Sequence, residues 1–326
     1  MIHGPISIVK PCMKHSMFMA VILASALAAC GGSSNEMAST QLPLSPTPVP
    51  TQPVTITPAP LPPEPPQIMA ESIAFQWGEH SLQWGQLYLP PNTQEPWPAV
   101  VMIHGGCWQS SYTLELQAAL SQALAERGYA VWNIEYRSLG SGGNWPVMFQ
   151  DVAAATDYLE QLEAIYPINM DAIVAIGHSA GGHLALWLAG REKIAEESEL
   201  YLEAFVAIKG AITLGGISDL QSAACGGAAS AIIDSTTLTE PSLMARLESS
   251  SPIHMLPIHK PTVLISGERD GIVPPRLSEA YFVSALAEGD SSDHIVLEDA
   301  GHFDLINPQA LDLGIIESAI EMITRQ

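Results

Sequence analysis

The apolar residues of this chain fall into short runs separated by segments with helical spacing. Six runs rich in apolar residues predict strands, and the continuous apolar run at residues 98–103 predicts a strand buried on both faces. These runs lie at residues 98–103, 129–134, 173–176, 204–214, 261–267 and 294–297. Five further segments predict helices, at residues 114–127, 146–162, 230–248, 275–287 and 308–323. The alternation predicts an α/β fold with a mostly parallel central sheet and helices on both faces.

Two more strands begin the folded part of the chain. Residues 72–77 and 82–89 flank a polar turn and predict an N-terminal antiparallel hairpin. The folded domain is therefore predicted to span residues 70–326. With 326 residues, 47% of them hydrophobic, the chain has enough apolar side chains to bury a large core.

Residues 1–29 have the features of a bacterial lipoprotein signal peptide. Lys10 and Lys14 precede an uncharged apolar run at residues 17–29, which is too short to span a bilayer as a helix. Cys30 directly follows Leu-Ala-Ala and resembles the lipobox cysteine that becomes lipid-modified in bacterial lipoproteins. An ordinary signal peptide with an incidental cysteine is the alternative. The lipobox predicts an extracytoplasmic protein, lipid-anchored to a bacterial membrane at the periplasmic face or on the outer membrane.

Residues 30–69 predict a disordered linker that starts at the lipidated Cys30. Eleven prolines lie between Gln41 and Pro66, and Glu64 is the only charged residue in that span. Such a segment cannot bury enough apolar surface to fold, and it favours the extended polyproline II conformation. We expect a semi-rigid spacer between a membrane and the folded domain. A proline-rich ligand for a partner protein is the alternative.

A serine on a sharp turn is the strongest chemical signal in the sequence. The run Gly177-His-Ser-Ala-Gly181 follows an apolar strand and precedes a helix, which is the context of a nucleophile elbow. The turn is so tight that side chains at residues 177 and 181 would collide with neighbouring backbone, which explains the glycines. We therefore predict Ser179 as the catalytic nucleophile.

A serine hydroxyl needs a base, and the base needs a group that orients it. In this kind of fold the chain order is serine, acid, histidine, and each group follows a strand. Asp270 follows the predicted strand 261–267, and His302 follows the strand 294–297. Loops at one edge of a parallel sheet can bring all three side chains together. We predict Asp270 as the acid, with Glu268 and Asp299 as its competitors, and His302 as the base.

A glycine-rich loop after the strand at residues 98–103 is predicted to supply the hydrogen-bond donors that stabilise the oxyanion. The sequence His104-Gly-Gly-Cys-Trp108 allows close approach of backbone amides to a developing oxyanion. We predict the amides of Gly106 and Cys107 as donors, together with that of Ala180 directly after the nucleophile. His104 is interpreted as a structural group that braces the loop.

Together, five motifs resemble the hormone-sensitive-lipase and kynurenine-formamidase-like branch of the α/β-hydrolases, which includes feruloyl-esterase-like enzymes. The motifs are His104-Gly-Gly-Cys-Trp108, Asn133-Ile-Glu-Tyr-Arg137, Gln150-Asp-Val152, Gly177-His-Ser-Ala-Gly-Gly-His183 and Gly267-Glu-Arg-Asp-Gly-Ile-Val-Pro274. The resemblance covers roughly residues 70–326 and implies an α/β-hydrolase fold and a serine hydrolase that uses no cofactor and no metal. Cys107 stands where the lipase-like motif more commonly has glycine.

Several other residues have two interpretations. Trp108 and Trp145 either line an acyl or aryl pocket or pack in the core. Arg137 and Asp151 are interpreted as a structural ion pair, with a substrate-carboxylate site as the alternative. Cys107 and Cys225 can form a disulfide in an oxidising compartment, but sequence spacing alone leaves the pairing open.

The charge balance narrows the range of partners. The chain has 12 lysines and arginines against 34 acidic residues, a formal net charge of −22. This excess of acidic residues argues against nucleic-acid binding, which needs clustered basic side chains. The expected partners are a small ester or amide substrate and, through Cys30, a membrane.

The function predicted from the sequence is hydrolysis of small carboxylic esters by a Ser-His-Asp triad through an acyl-enzyme. An arylformamidase or a small peptidase with the same triad is the alternative within the same chemistry. A non-catalytic hydrolase-like binding module is the remote alternative, and the complete triad argues against it.

Overall fold

The computed structural model describes residues 70–91 and 94–325. The predicted signal peptide, Cys30 and proline-rich linker lie outside these residues. Eight strands are present in the described part: β1 (Glu71–Gln76), β2 (Trp84–Leu89), β3 (Trp97–Ile103), β4 (Ala130–Ile134), β5 (Ile168–His178), β6 (Gly210–Leu214), β7 (Thr262–Gly267) and β8 (Ser292–Leu297). They form one sheet in the order β1-β2-β4-β3-β5-β6-β7-β8.

Nine α-helices accompany the sheet within the same residues. They are α1 (Ala118–Glu126), α2 (Val147–Asp157), α3 (Leu159–Glu163), α4 (Ala180–Gly190), α5 (Ala228–Ile232), α6 (Ser242–Ser250), α7 (Pro252–Met255), α8 (Pro275–Ala287) and α9 (Leu313–Thr324). Short 3₁₀-helices cover Leu114–Gln117, Arg191–Lys193 and Asp304–Ile306. Across the described ranges, no helix is long and apolar enough to cross a membrane.

The sheet is antiparallel only at its N-terminal edge. Strand β2 pairs antiparallel with both β1 and β4. All pairs from β4 through β3, β5, β6 and β7 to β8 are parallel. The predicted α/β-hydrolase fold, with a mostly parallel sheet and an N-terminal antiparallel hairpin, is confirmed.

Alternate residues of the central strands pack into two separate cores. Val101 and Ile103 of β3 belong to one cluster, which includes buried residues of α2 and α4. Val100 and Met102 belong to the other, which includes buried residues of α1 and α9. Because successive strand residues point to opposite faces, continuous apolar runs are required when both faces are covered. The same parallel register sets the sheet edge at which the loops after these strands meet.

Several predicted elements differ in extent from the sequence prediction, and the helix predicted at residues 146–162 divides into α2 and α3. The strand predicted at residues 204–214 exists only at Gly210–Leu214, and the backbone of Val206 before it bonds to side chains. Val206 N–H donates to Asp157 (2.9 Å), and its carbonyl accepts from Arg191 (3.1 Å). The helix predicted at residues 230–248 is two helices, α5 and α6. Residues 233–241 separate the two helices, and Pro241 is the N-cap residue of α6.

Candidate active site

Ser179 lies at the apex of the turn between β5 and α4. Its backbone has φ 55° and ψ −119°, a conformation that non-glycine residues rarely adopt. The flanking glycines are required by space. A Cβ at Gly177 would lie 2.0 Å from the Gly181 carbonyl oxygen, and one at Gly181 would lie 2.0 Å from that of Ile103. The strained conformation and the closely packed glycines are those of a nucleophile elbow.

Asp270 and His302 follow the adjacent parallel strands β7 and β8, and their side chains pair. Asp270 Oδ2 lies 2.6 Å from His302 Nδ1, and both residues are buried. The other carboxylate oxygen accepts the N–H groups of Ile272 (2.9 Å) and Val273 (2.8 Å). The two alternative acids, Glu268 and Asp299, have other partners. Glu268 accepts the N–H of Asp299, and Asp299 forms an ion pair with the exposed Arg269.

The protonation pattern of this pair follows from its surroundings. Burial by itself would raise the pKa of Asp270, but hydrogen bonds from His302 and from the Val273 and Ile272 amides outweigh it, so the pKa is lowered. An ionised carboxylate only accepts hydrogen bonds, and therefore His302 Nδ1–H is the donor. The other ring nitrogen, Nε2, is then free to accept a proton, as a general base requires.

Two residues connect this pair to the serine turn. His178, next to Ser179, has its ring 4.4 Å from the His302 ring, and its Nε2 lies 3.1 Å from the His302 carbonyl oxygen. Burial lowers the pKa of His178 to about 3, so its neutral ring donates Nε2–H to that carbonyl. Ser179 N–H donates to Leu214 O (3.0 Å), and the next residue, Gly215, packs directly against Asp270 and His302. The structure therefore places the three predicted triad residues at one sheet edge.

The predicted oxyanion loop packs on the same turn. Ile103, at the end of β3, is paired with Gly177, and a Cβ built on Gly105 would lie 3.0 Å from Ser179 Cβ. Among the described residues, the N–H groups of Gly106 and Cys107 donate no hydrogen bond. As the first residue of α4, Ala180 also has no acceptor one turn back in the helix. Three free amides near the serine are what an oxyanion site needs.

Buried polar contacts of His104 hold this loop in place. His104 Nε2 lies 3.0 Å from Glu135 Oε1, and its ring stacks on Tyr136 with 4.4 Å between ring centroids. Tyr136 OH donates to the His104 carbonyl (2.8 Å), while Glu135 also accepts the Leu114 N–H (3.0 Å). The interpretation of His104 as a structural group agrees with these contacts. The bracing role of Glu135 was not predicted, although its position directly after a buried strand is a signal for it.

Cys107 and Cys225 form a disulfide that joins loops 118 residues apart in the chain. The sequence had left this pairing open. One end of the crosslink is Cys107, whose N–H is predicted as an oxyanion donor and donates no hydrogen bond among the described residues. The other end lies in the segment before α5, so the two loops are held together beside the serine.

The structure separates the two tryptophans. Trp108 is 1% exposed and packs edge-on against His183 (5.4 Å), which favours the core interpretation over a pocket wall. Trp145 is partly exposed and donates to Glu199 (2.6 Å), and it borders a cavity of about 620 Å³. The residues that line this cavity do not include Ser179, Asp270 or His302, so contact between Trp145 and a substrate stays a prediction.

Arg137 and Asp151 form an ion pair. Arg137 makes two side-chain bonds to Asp151, Nε to Oδ2 (2.7 Å) and Nη2 to Oδ1 (2.6 Å), and Asp151 is buried. This is the structural ion pair that the sequence favoured.

Within residues 70–91 and 94–325, no group of three or more His, Cys, Asp and Glu side chains is arranged to hold a metal ion. The prediction that the chemistry uses no cofactor stays a prediction.

Comparison with known proteins places this site in a family. The BD-FAE family model matches residues 86–285, more than half of the chain, and this span includes Ser179 and Asp270. The chain belongs to the BD-FAE family. The predicted resemblance to feruloyl-esterase-like α/β-hydrolases is thereby confirmed.

Individual relatives of this chain carry two kinds of name. A probable isoprenylcysteine alpha-carbonyl methylesterase of Arabidopsis thaliana is 26% identical over 251 residues, covering 73% of this chain and 52% of that protein. A kynurenine formamidase of Danio rerio is 28% identical over 135 residues, covering 41% of this chain and 42% of that protein. The chain thus spans about half the length of the curated relatives it matches.

The fold is also that of solved esterases. The crystal structure of esterase B from Lactobacillus rhamnosis superposes with a TM-score of 0.67 at 21% identity, over 79% of this chain and 87% of that one. At this identity the likeness concerns the fold alone.

Proposed function

We propose that this BD-FAE protein is a serine hydrolase that cleaves small carboxylic esters. The observation that carries the proposal is the nucleophile elbow at Ser179 beside the 2.6 Å pair of His302 and Asp270. The methylesterase names among its relatives support an ester as the substrate.

In the proposed first step, Ser179 Oγ attacks the ester carbonyl carbon while His302 Nε2 takes the hydroxyl proton. Asp270 holds the imidazole in the required tautomer and stabilises the imidazolium that forms. The negative charge on the former carbonyl oxygen is stabilised by the free amides of the oxyanion loop and Ala180. The bond to the leaving oxygen then breaks, and His302 returns the proton to the departing alcohol.

In the proposed second step, water replaces the alcohol. His302 takes a proton from the water, and the resulting hydroxide attacks the acyl-enzyme carbonyl. The Ser179 ester bond breaks, the proton returns to Ser179 Oγ, and the carboxylic acid leaves. Every proton moves through His302, so both steps depend on the same pair of residues.

Hydrolysis of p-nitrophenyl acetate tests this function. We expect a burst of p-nitrophenol stoichiometric with protein, followed by steady turnover, if the acyl-enzyme accumulates. Ser179→Ala is expected to lower kcat by about 10⁴-fold or more. Ser284→Ala, in which a hydroxyl bonded to the Ala280 carbonyl on α8 is removed, is the matched control with unchanged kcat. Equal activity in Ser179→Ala and the control would contradict the proposal.

An aryl formamide is the second candidate substrate, because the kynurenine formamidase of Danio rerio is among the relatives. The same triad would attack a formamide carbonyl and release an amine. Measuring kcat/KM for N-formylkynurenine and for a series of acetyl and feruloyl esters with one preparation separates the two. We expect the higher kcat/KM for an ester.

We further propose that the protein acts outside the cytoplasm, anchored through lipidated Cys30. The lipobox-like sequence before Cys30 supports this proposal. The Cys107–Cys225 disulfide also supports it, because such bonds persist in oxidising compartments. Cys30→Ser is expected to move the protein from the membrane fraction to the soluble fraction of a bacterial cell. An unchanged distribution would contradict the anchor.

A further inference from the structure

Residues 106–108 of the oxyanion loop have an unusual backbone. Gly106, Cys107 and Trp108 have successive φ angles of 107°, 50° and 56°. Such angles are easy for glycine and costly for residues with a Cβ. The loop therefore holds two consecutive non-glycine residues in the left-handed region, next to the proposed nucleophile.

Hydrogen bonds hold the neighbours of Cys107 but not Cys107 itself. Gln109 N–H donates to Gly106 O (3.0 Å), and Leu139 N–H donates to Trp108 O (2.8 Å). In the part of the chain that the structure describes, neither the N–H nor the carbonyl of Cys107 takes part in a hydrogen bond. Its side chain is bonded to Cys225. Within the turn that the Gly106–Gln109 hydrogen bond closes, the disulfide is therefore the only tertiary bond to Cys107 among the described residues.

We infer that Cys225 is a positioning residue for the oxyanion site, acting through its disulfide to hold Cys107 in the left-handed conformation. Without the crosslink, Cys107 gains by returning to negative φ, which turns its N–H away from the substrate oxygen. A glycine at residue 107 would need no crosslink, because it adopts this conformation at little cost. The inference rests on the proposed esterase function, since it concerns the amide that stabilises the oxyanion.

The test compares three forms of the protein in p-nitrophenyl acetate hydrolysis. Cys225→Ser is expected to lower kcat by about 10–100-fold with KM changed less than about threefold, because a lost oxyanion donor acts in the transition state. Wild type that has been reduced with dithiothreitol and then separated from it by gel filtration without oxygen is expected to show the same loss while circular dichroism stays native. The double variant Cys107→Gly with Cys225→Ser is expected to recover most of the lost kcat.

Thermal unfolding of the same proteins distinguishes positioning from plain stabilisation. Both variants lack the crosslink, so both are expected to have a lower Tm than the wild type, whatever their activity. A disulfide that only stabilises the fold would leave the double variant as inactive as Cys225→Ser. The inference is overturned by that result, or by wild-type kcat in Cys225→Ser. Should Cys225→Ser fail to fold, the reduced wild type provides the same kcat comparison.

The activity of the wild type distinguishes a failure of this inference from a failure of the proposed function. A wild type that does not turn over any ester contradicts the function itself. An active wild type whose kcat is insensitive to loss of the disulfide contradicts only the role of Cys225. Peptide mapping without reductant confirms the starting state, with the Cys107 and Cys225 peptides recovered as one crosslinked species.

Discussion

Asp270 Oδ2 lies 2.6 Å from His302 Nδ1, and the carboxylate is held in place from its other side by two backbone amides. The histidine can therefore present only one tautomer to the serine. Asp270→Asn is expected to lower kcat by about 10³–10⁴-fold with little loss of stability, because the amide allows the wrong tautomer. Asp299→Asn, which changes a neighbouring exposed acid, is the matched control. Equal kcat losses in the two variants would show that the 2.6 Å contact does not matter for catalysis.

Gly215 provides a second test of the same pair. A Cβ at this residue would lie 3.0 Å from Asp270 Oδ2 and 3.1 Å from His302 Nδ1, in a backbone with φ 57°. We expect Gly215→Ala to displace the pair and to lower kcat by roughly 100-fold, the effect of a misplacement of about 1 Å. Gly289→Ala is the control for backbone strain alone, since Gly289 has φ 86° and no atom within 4 Å of a built Cβ. Its kcat should equal that of the wild type, and a similar loss in both variants would exclude displacement as the cause.

Two buried histidines predict how stability depends on pH. Burial lowers the pKa of His178 to about 3 and that of His183 to about 4, from 6.5 in the unfolded chain. Their contribution to stability is complete above pH 6.5 and is lost as the pH falls toward 4, because the unfolded state then binds protons that the folded state excludes. The free energy of unfolding is expected to fall by about 1.4 kcal/mol per pH unit for each histidine in this window.

Urea unfolding at several pH values between 7.5 and 4.5 measures this dependence. His183→Phe keeps an aromatic ring against Trp108 and Phe149 but cannot bind a proton. The variant is less stable at pH 7.5, because the Ser250 carbonyl loses its partner, and its free energy of unfolding falls less steeply with decreasing pH. A slope identical to that of the wild type would contradict the assignment of His183.

Phe303 is an exposed apolar side chain that directly follows the predicted base. It is 51% exposed, and its ring lies edge-on to that of His302 with 5.4 Å between centroids. Phe303→Ala is expected to raise KM for butyryl and hexanoyl esters by about 3–10-fold, since part of the apolar burial on binding is lost. The KM for acetyl esters should change less. Val283→Ala is the control, because Val283 lies on α8 and is 57% exposed. If Phe303→Ala changed KM equally for all acyl lengths, contact between Phe303 and the acyl chain would be contradicted.

The sequence predicted those parts of the site that depend on local patterns. Ser179 was found because the glycines around it and the strand and helix that flank it are adjacent in the chain. Asp270 and His302 were found because each follows a predicted strand, and parallel strands end at one sheet edge. Their pairing needed the order of β7 and β8 in the sheet, which short-range patterns do not specify but the fold family implies.

The contacts that the sequence did not predict are long-range ones. The Cys107–Cys225 pairing depends on how two loops approach each other, and the backbone of Val206 is bound by side chains from α2 and from the 3₁₀-helix after α4. Glu135 acts on the oxyanion loop through His104, 31 residues away in sequence. Such tertiary contacts leave no periodic signal, so they became visible only in three dimensions.

Covalent labelling of Ser179 tests the central claim most directly. An alkyl fluorophosphonate reacts with a serine only when a base and an oxyanion site activate it. Incubation of the protein with this reagent, followed by intact-mass and peptide mass spectrometry, is expected to show one adduct, on Ser179. Ser179→Ala should remain unlabelled under the same conditions. An unlabelled wild type, or an equal adduct on Ser179→Ala, would contradict the assignment of this chain as a serine hydrolase.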